Sequence, residues 1–275
     1  MLLSQTRGQL MIIGGAEDKT GECKILREFL RCAGGLKARI VVMTAAIELS
    51  REVAQNYIKV FEQLGVAYVR IVDTVCCEDA SSSSALLAIE NATGVFFTGG
   101  NQASIASIIK DTEIDAAIHK RFSEGMVVAG TSAGAAVMPD MMIVEGESET
   151  NPRVNVVEMQ PGMGFLPGVV VDQHFAQRGR LGRLISALVI QSAVLGLGID
   201  ENTAVLVDGK EFEVIGEGAV TVVDVAEITH SNLEQLLKDE AMAICGAKLH
   251  ILPQGYRFDL ETRSPILAKV AVQAA

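Results

Sequence analysis

The stretch Val127-Val128-Ala129-Gly130-Thr131-Ser132-Ala133-Gly134-Ala135-Ala136 sets the reading of the whole chain. A β-branched apolar run stops at Gly130, a serine sits among small neighbours, and helix formers follow, so the order is strand, sharp turn, helix, with Ser132 at the turn. Such a turn is a nucleophile elbow: neighbours without bulky side chains let a strained serine stand with its Oγ exposed at the carboxyl end of the strand. A helix starting directly behind it aims backbone N–H groups at an oxyanion formed there. The competing reading of G-x-S-x-G is a small-residue turn that packs a helix onto a sheet, and the surrounding chain has to decide between the two.

Working outward, apolar β-branched runs recur at Leu10 to Ile13, Arg39 to Thr44, Tyr68 to Val72, Gly94 to Thr98 and Met126 to Ala129. Continuous apolar runs of this length are those of strands buried on both faces, as parallel strands are. Helices are expected between them at Lys24 to Arg31, Val53 to Leu64 and Ala85 to Glu90, with a longer one from Ala103 to Glu124 breaking near Asp111. The alternation predicts an α/β fold: a doubly wound, mostly parallel sheet with helices on both faces, its ligands outside the carboxyl ends of the strands. Beyond the elbow, Met138 to Gly168 is rich in Pro, Gly and Glu and reads as a loop or lid. Gly168 to Asp172 reads as a strand, and Arg178 to Leu184 opens an amphipathic helix running to Ala193. The tail changes in kind. Thr203 to Val207, Asp208-Gly209 and Glu211 to Ile215 form a C-terminal antiparallel β-hairpin region, with Ala219 to Val223 as its third strand, a short helix over Leu233 to Asp239 and a last hairpin over Lys248 to Leu260. Ser81 to Ser84 is a loop or helix cap.

A chain of 275 residues accommodates one large α/β domain or two small ones. With no repeat and no low-complexity linker, the expectation is a single domain over 1–275 with a β-rich extension from about residue 203. No window has the long apolar run of a membrane helix, and Met1 to Gln9 lacks the apolar core of a signal peptide, so the expectation is a cytoplasmic protein with no membrane partner. Cys23, Cys32, Cys76, Cys77 and Cys245 lack metal-type spacing, which fits reduced thiols. A net charge of −11 argues against a nucleic-acid partner, and the absence of tryptophan removes aromatic stacking platforms as a theme.

A serine hydroxyl needs a base within hydrogen-bond reach. His119, His230 and His250 fall in a charged helix, a polar segment and an alternating strand, whereas His174 follows a buried strand and emerges on the carboxyl edge that carries Ser132. A third group must orient the imidazole. Asp200 and Glu201 sit together at a turn, and Asp172 lies two residues from the histidine on the same strand; the spacing leaves these open. Gly99-Gly100 permits close backbone approach, so Gly100 supplies a second oxyanion N–H beside that of Ala133, and Gln102 directs an amide into the same crevice. Arg178, Arg180 and Arg183 follow His174, where guanidinium forks suit carboxylates. The Gly14-Gly15-Ala16-Glu17-Asp18-Lys19 loop has neither G-x-G-x-x-G nor a GK[ST] ending, so a nucleotide site is excluded.

In this order, Gly14-Gly15-Ala16-Glu17-Asp18-Lys19, Thr98-Gly99-Gly100-Asn101-Gln102, Gly130-Thr131-Ser132-Ala133-Gly134-Ala135, Val171-Asp172-Gln173-His174-Phe175 with the arginines that follow, and Gly198-Ile199-Asp200-Glu201-Asn202-Thr203 resemble the cyanophycinases. These belong to the peptidase family that includes aspartyl dipeptidase and have a fold similar to class I glutamine amidotransferases. The resemblance implies Ser132 as nucleophile, His174 as base and then acid, and Glu201 as third member. A carboxylate after the nucleophile has also been given that last role in the family, and Glu147, Glu149 and Thr150 occupy that stretch without a clear match. It further implies Gln102, Asp172, Gln173, Arg178, Arg180 and Arg183 as the substrate pocket, cyanophycin or a β-aspartyl peptide as substrate, no cofactor and no metal, and a homodimer. Cyanophycin is a poly-aspartate backbone with arginine on each β-carboxylate, from which β-Asp-Arg dipeptides would be released.

Overall fold

The computed structural model describes residues 8–45, 50–76, 78–191, 195–237 and 240–267. The readings of the first seven residues, of Cys77, of the helix end at Ala193 and of the helix end at Asp239 lie outside the described residues. Cys23, Cys32, Cys76 and Cys245 are free thiols.

All five apolar runs are strands: Leu10–Ile13 (β1), Arg39–Ala45 (β2), Tyr68–Thr74 (β3), Gly94–Phe97 (β4) and Val127–Thr131 (β5). They pair in parallel in the order β1-β5-β4-β2-β3. Their continuous hydrophobicity has a direct cause, because alternate residues point to opposite faces and both faces are covered. Leu10, Ile12, Val41, Met43, Val95 and Val128 enter one core, while Met11, Ile13, Ile40, Val42, Phe96 and Val127 enter the other. On the second face Phe96 packs against Tyr57 and Phe29, with ring centroids 4.8 and 5.4 Å away. The helices Lys24–Cys32 (α1), Ser50–Gln63 (α2) and Ser83–Glu90 (α3) connect these strands, and Ser82 caps the third by accepting the Ala85 N–H. The long helical stretch divides as expected into Gln102–Ile109 (α4) and Glu113–Ser123 (α5). At the break Asp111 is left-handed (φ 61°), Thr112 caps α5, and Asp115 Oδ2 accepts the Asp111 N–H at 2.8 Å.

The second half departs from the sequence reading in several places. After the four-residue helix Ala133–Ala136 (α6), the stretch expected to be a loop contains an antiparallel ribbon, Met141–Gly146 (β6) with Val157–Pro161 (β7). Glu158 and Gln160 alternate with Val157 and Met159 on β7, but a register shift between Ile143 and Glu145 breaks the alternation of β6; Ile143, Val157 and Met159 pack on the helix Leu181–Ile190 (α7). The strand Val169–Gln173 (β8) does not join the sheet of β5. It lies in a second, four-stranded sheet, parallel to Leu195–Ile199 (β9), a strand absent from the sequence reading.

Thr203–Asp208 (β10) and Glu211–Gly216 (β11) do form the expected hairpin, and β10 adds antiparallel to β1. However, the next strand, Ala219–Asp224 (β12), crosses to β9 in the second sheet instead of extending the hairpin. Gly216 and Gly218 press on Asn202 and Thr203, where a Cβ would lie 2.2 and 2.6 Å from the nearest atom, and Asp200 captures the Ala219 N–H. The tail follows this split. After the two-residue pair His230–Ser231 (β13) and Ile244–Cys245 (β14), Lys248–Pro253 (β15) pairs with β12, whereas Arg257–Asp259 (β16) pairs with β11 and with Ser264–Ile266 (β17). The expected last hairpin is therefore two strands in different sheets. The expected helix over Leu233 to Asp239 is one turn of 3₁₀ helix, Leu233–Gln235, among its described residues. The large sheet has nine strands in the order β17-β16-β11-β10-β1-β5-β4-β2-β3.

Candidate active site

The site is assembled by the end of one short strand. The carbonyls of Ile13, Gly14 and Gly15 accept, in turn, the N–H groups of Ser132 (3.1 Å), His174 (2.8 Å) and Asn202 (2.9 Å). Three chain-distant segments are thus registered against three consecutive peptide units. This is how Ser132 and His174 meet although their strands belong to different sheets. The shared edge inferred from sequence is in fact a seam between sheets.

At that seam Ser132 Oγ lies 3.0 Å from His174 Nε2, and His174 Nδ1 lies 2.6 Å from Glu201 Oε1. A carboxylate only accepts, so Nδ1 carries the ring hydrogen and Nε2 is left to accept the serine proton. Of the other carboxylates weighed from sequence, Asp200 accepts the N–H groups of Ala176 and Ala219, both at 3.1 Å, and Asp172 accepts from arginine. Glu147 lies on the rim of the cavity in front of Ser132. Glu149 N–H bonds Gly179, and Thr150 Oγ1 bonds Asn151.

Backbone geometry fixes the side chains of Ser132 and His174. Ser132 has φ 52° and ψ −115°, and His174 has φ 48°, conformations that cost on the order of 1–3 kcal/mol each unless the surroundings impose them. Around Ser132 they do so through glycine: a Cβ at Gly130 would lie 2.1 Å from Gly134 O, and one at Gly134 would lie 2.4 Å from Phe97 O. Around His174 the corresponding residue is Gly15 (φ 98°), whose Cβ would lie 2.4 Å from the imidazole Cε1. Gly99 also abuts the elbow, with a Cβ position 3.4 Å from that of Ser132.

Beneath the elbow is a buried cluster that the sequence reading missed. Glu17, 3% exposed, accepts the Thr131 hydroxyl at 2.6 Å and the Tyr57 hydroxyl, and pairs with Lys19 at 3.0 Å. Burial next to this carboxylate pushes the Tyr57 phenol well above its usual range, so it stays a donor. The Gly14–Lys19 loop excluded as a nucleotide site is thus the support of the elbow. The signal available in sequence was a Gly-Gly pair at the carboxyl end of a buried strand, followed by an acid.

Burial and neighbouring charges act on His174 in opposite directions. Burial pushes its imidazole below the usual 6.5, Glu201 pulls it back up, and Arg178 and Arg180 push it down. The ring is consequently neutral at neutral pH.

A cavity of about 710 Å³ opens in front of Ser132. One wall carries Gln173, Arg178, Arg180 and Arg183, and the β6–β7 ribbon forms the other. Gln102 Nε2 donates to the ribbon carbonyls of Ile143 (3.3 Å) and Val144, so its amide ties the ribbon to the site. The arginines divide by role. The Arg183 fork closes on Asp172 (2.7 and 2.5 Å) and its remaining nitrogen donates to Gly146 O at 3.0 Å, fastening the ribbon. Asp172 is 1% exposed and stands behind this wall; burial raises its carboxyl, opposed by Arg183 and Arg180. Arg180 Nη1 donates to Gln173 O (2.6 Å) and Gln173 Oε1 (3.2 Å), its Nε has no partner among the described residues, and burial pulls it down to about 10. Arg178 makes no side-chain ion pair or hydrogen bond among the described residues. The remaining histidines are elsewhere: His119 bonds Met163 O at 2.8 Å and stacks on Phe165, His230 lies on β13 and His250 on β15.

The fold places the chain in a known structural class. It superposes on a peptidase from an acI-B1 Actinobacterium with TM-score 0.59, at 21% identity, covering 90% of this chain and 98% of the other. It also superposes on a putative peptidase E protein from Listeria monocytogenes with TM-score 0.51, at 16% identity over 76% of this chain and 98% of the other. The sequence profile of peptidase family S51 matches residues 10–215. A cyanophycinase from Trichormus variabilis is 40% identical over 265 residues, covering 96% of this chain and 89% of that protein. One from Geminocystis herdmanii is 36% identical over 262 residues, covering 94% of this chain and 96% of that protein. The chain belongs to peptidase family S51.

Proposed function

We propose that this peptidase is a serine-type exopeptidase that hydrolyses cyanophycin to β-Asp-Arg dipeptides. The observation that carries the reading is the hydrogen-bonded chain Ser132–His174–Glu201 at the head of a cavity walled by arginines, in a chain whose relatives include cyanophycinases.

In the proposed mechanism, Ser132 Oγ attacks the carbonyl carbon of a backbone amide while His174 Nε2 takes the hydroxyl proton and Glu201 stabilises the imidazolium. The N–H groups of Ala133 and Gly100 receive the oxyanion. Collapse of the tetrahedral adduct breaks the C–N bond, and His174 delivers its proton to the leaving amine. Water then attacks the acyl-serine ester, giving its proton to His174, and the second adduct expels Ser132, which recovers that proton. Arg178 and Arg180 hold substrate carboxylate with their unengaged donors, while Asp172 and Arg183 keep the wall in place and Gln102 and Gln173 line it. Residues present in the chain complete every step. The proposal extends to a homodimer acting in the cytoplasm, for which sedimentation equilibrium of the purified protein is the check on assembly.

Purified protein incubated with cyanophycin is expected to release β-Asp-Arg, and to do so faster than it cleaves short Asp-X dipeptides. No release by the wild type, or undiminished release by Ser132→Ala, overturns the proposal.

A further inference from the structure

The ribbon side of the cavity lining carries three carboxylates, Glu145, Glu147 and Glu158. Glu145 and Glu158 are directly paired across the β6–β7 ribbon, and Glu147 lies two residues beyond Glu145 on the same face. A register shift between Ile143 and Glu145, of the kind that re-aims side chains beside active sites, brings the acidic face onto the cavity. Like charges directly opposed across a ribbon destabilise it. Neither strand of the ribbon contains lysine or arginine, and no ion pair is made by Glu145, Glu147 or Glu158 among the described residues. The same cavity is lined by Arg178, Arg180 and Arg183; Arg183 is engaged with Asp172 and with Gly146 O of the ribbon, and the Nε of Arg180, 7% exposed, has no partner among the described residues. The cavity is therefore lined by both anionic and cationic groups, a complement to a zwitterion and not to a simple acid.

We propose that Glu145, Glu158 and Glu147 form the seat for the guanidinium of the substrate's arginine, in the cavity whose arginines take its carboxylate. This rests on the cyanophycin reading above and supplies its missing half: poly-aspartate alone would satisfy only the cationic wall. The ribbon thereby sets specificity for a cationic side chain. Charge-assisted hydrogen bonds of about 1.5–3 kcal/mol correspond to roughly 10- to 100-fold in kcat/KM.

The test compares a soluble peptide of two β-Asp-Arg units with its twin bearing citrulline, which keeps the shape of arginine and lacks its charge. Wild type is expected to favour arginine by roughly 10- to 100-fold in kcat/KM, and the Glu145→Gln/Glu158→Gln protein to lose most of that ratio. The charge reversal Glu145→Lys/Glu158→Lys should invert it. A ratio in the double Gln variant equal to that of wild type overturns the seat. Should the double variants fail to fold, Glu147→Gln, on an exposed side chain, carries the same test: a ratio lowered about threefold or more supports the seat, and an unaltered ratio overturns it. Cleavage of neither peptide by wild type refutes the cyanophycin reading instead, so the two failures are distinct.

Discussion

The two sides of the cavity are built on opposite principles. The floor, with Ser132, His174 and Glu201, is held by main-chain hydrogen bonds and glycine contacts, and its supporting charges at Glu17, Asp172 and Arg183 are buried and paired. The ribbon is fastened by Gln102 and Arg183 reaching its carbonyls, and presents carboxylates that make no ion pair among the described residues. Bond-making chemistry tolerates little displacement, so the floor is over-determined. On the proposed reading the ribbon seats a flexible charged side chain, which tolerates more displacement than bond-making does. Perturbations of the floor should appear in kcat, and perturbations of the ribbon in KM.

The most severe test removes the nucleophile: Ser132→Ala should lower kcat on cyanophycin by on the order of 10⁴-fold or more with its melting temperature maintained. Glu201→Gln follows at on the order of 10³- to 10⁴-fold, since the imidazole loses the acceptor that fixes its tautomer. The same variant tests the electrostatics through pH. Because burial holds His174 below 6.5, wild-type kcat/KM should rise with pH through one ionisation centred below that value. Glu201 raises the imidazole pKa, so its neutralisation should move the midpoint further down; movement upward contradicts the assignment. Gly15→Ala places a methyl into the His174 ring and should cost about 10²-fold in kcat, with KM little altered, in steady-state assays. The mildest change is Gln102→Ala, which frees the ribbon: KM is expected to rise about 3- to 10-fold and kcat to stay within about twofold. A fall in kcat as large as that of Gly15→Ala would erase the distinction between floor and ribbon.

How far the sequence discloses this arrangement depends on the range of the interactions. The elbow and the five parallel strands are legible because each is a local pattern, small residues about Ser132 or an apolar run buried on both faces. Glu201 came within reach through family resemblance, whereas its neighbour Asp200 is excluded only by three-dimensional contacts to Ala176 and Ala219. Strand partners are long-range choices, which is why β8 and β12 were expected beside the wrong neighbours. The ribbon escaped because a register shift between Ile143 and Glu145 interrupts the alternation of β6 and its partner β7 is only five residues long. Glu17 gives no sign in its own loop that Thr131 is its partner, 114 residues away.

The three consecutive carbonyls at the end of β1 have a consequence for anyone moving this chemistry elsewhere. They belong to the peptide units of Ile13, Gly14 and Gly15, so exchanging side chains does not delete them as hydrogen-bond acceptors. A graft of Ser132, His174 and Glu201 onto a foreign scaffold would carry the reagents without the jig that spaces them. The transferable unit is a tripeptide of main chain with three incoming amides, and a scaffold offering that backbone would be the better starting point even if it began with none of the three side chains.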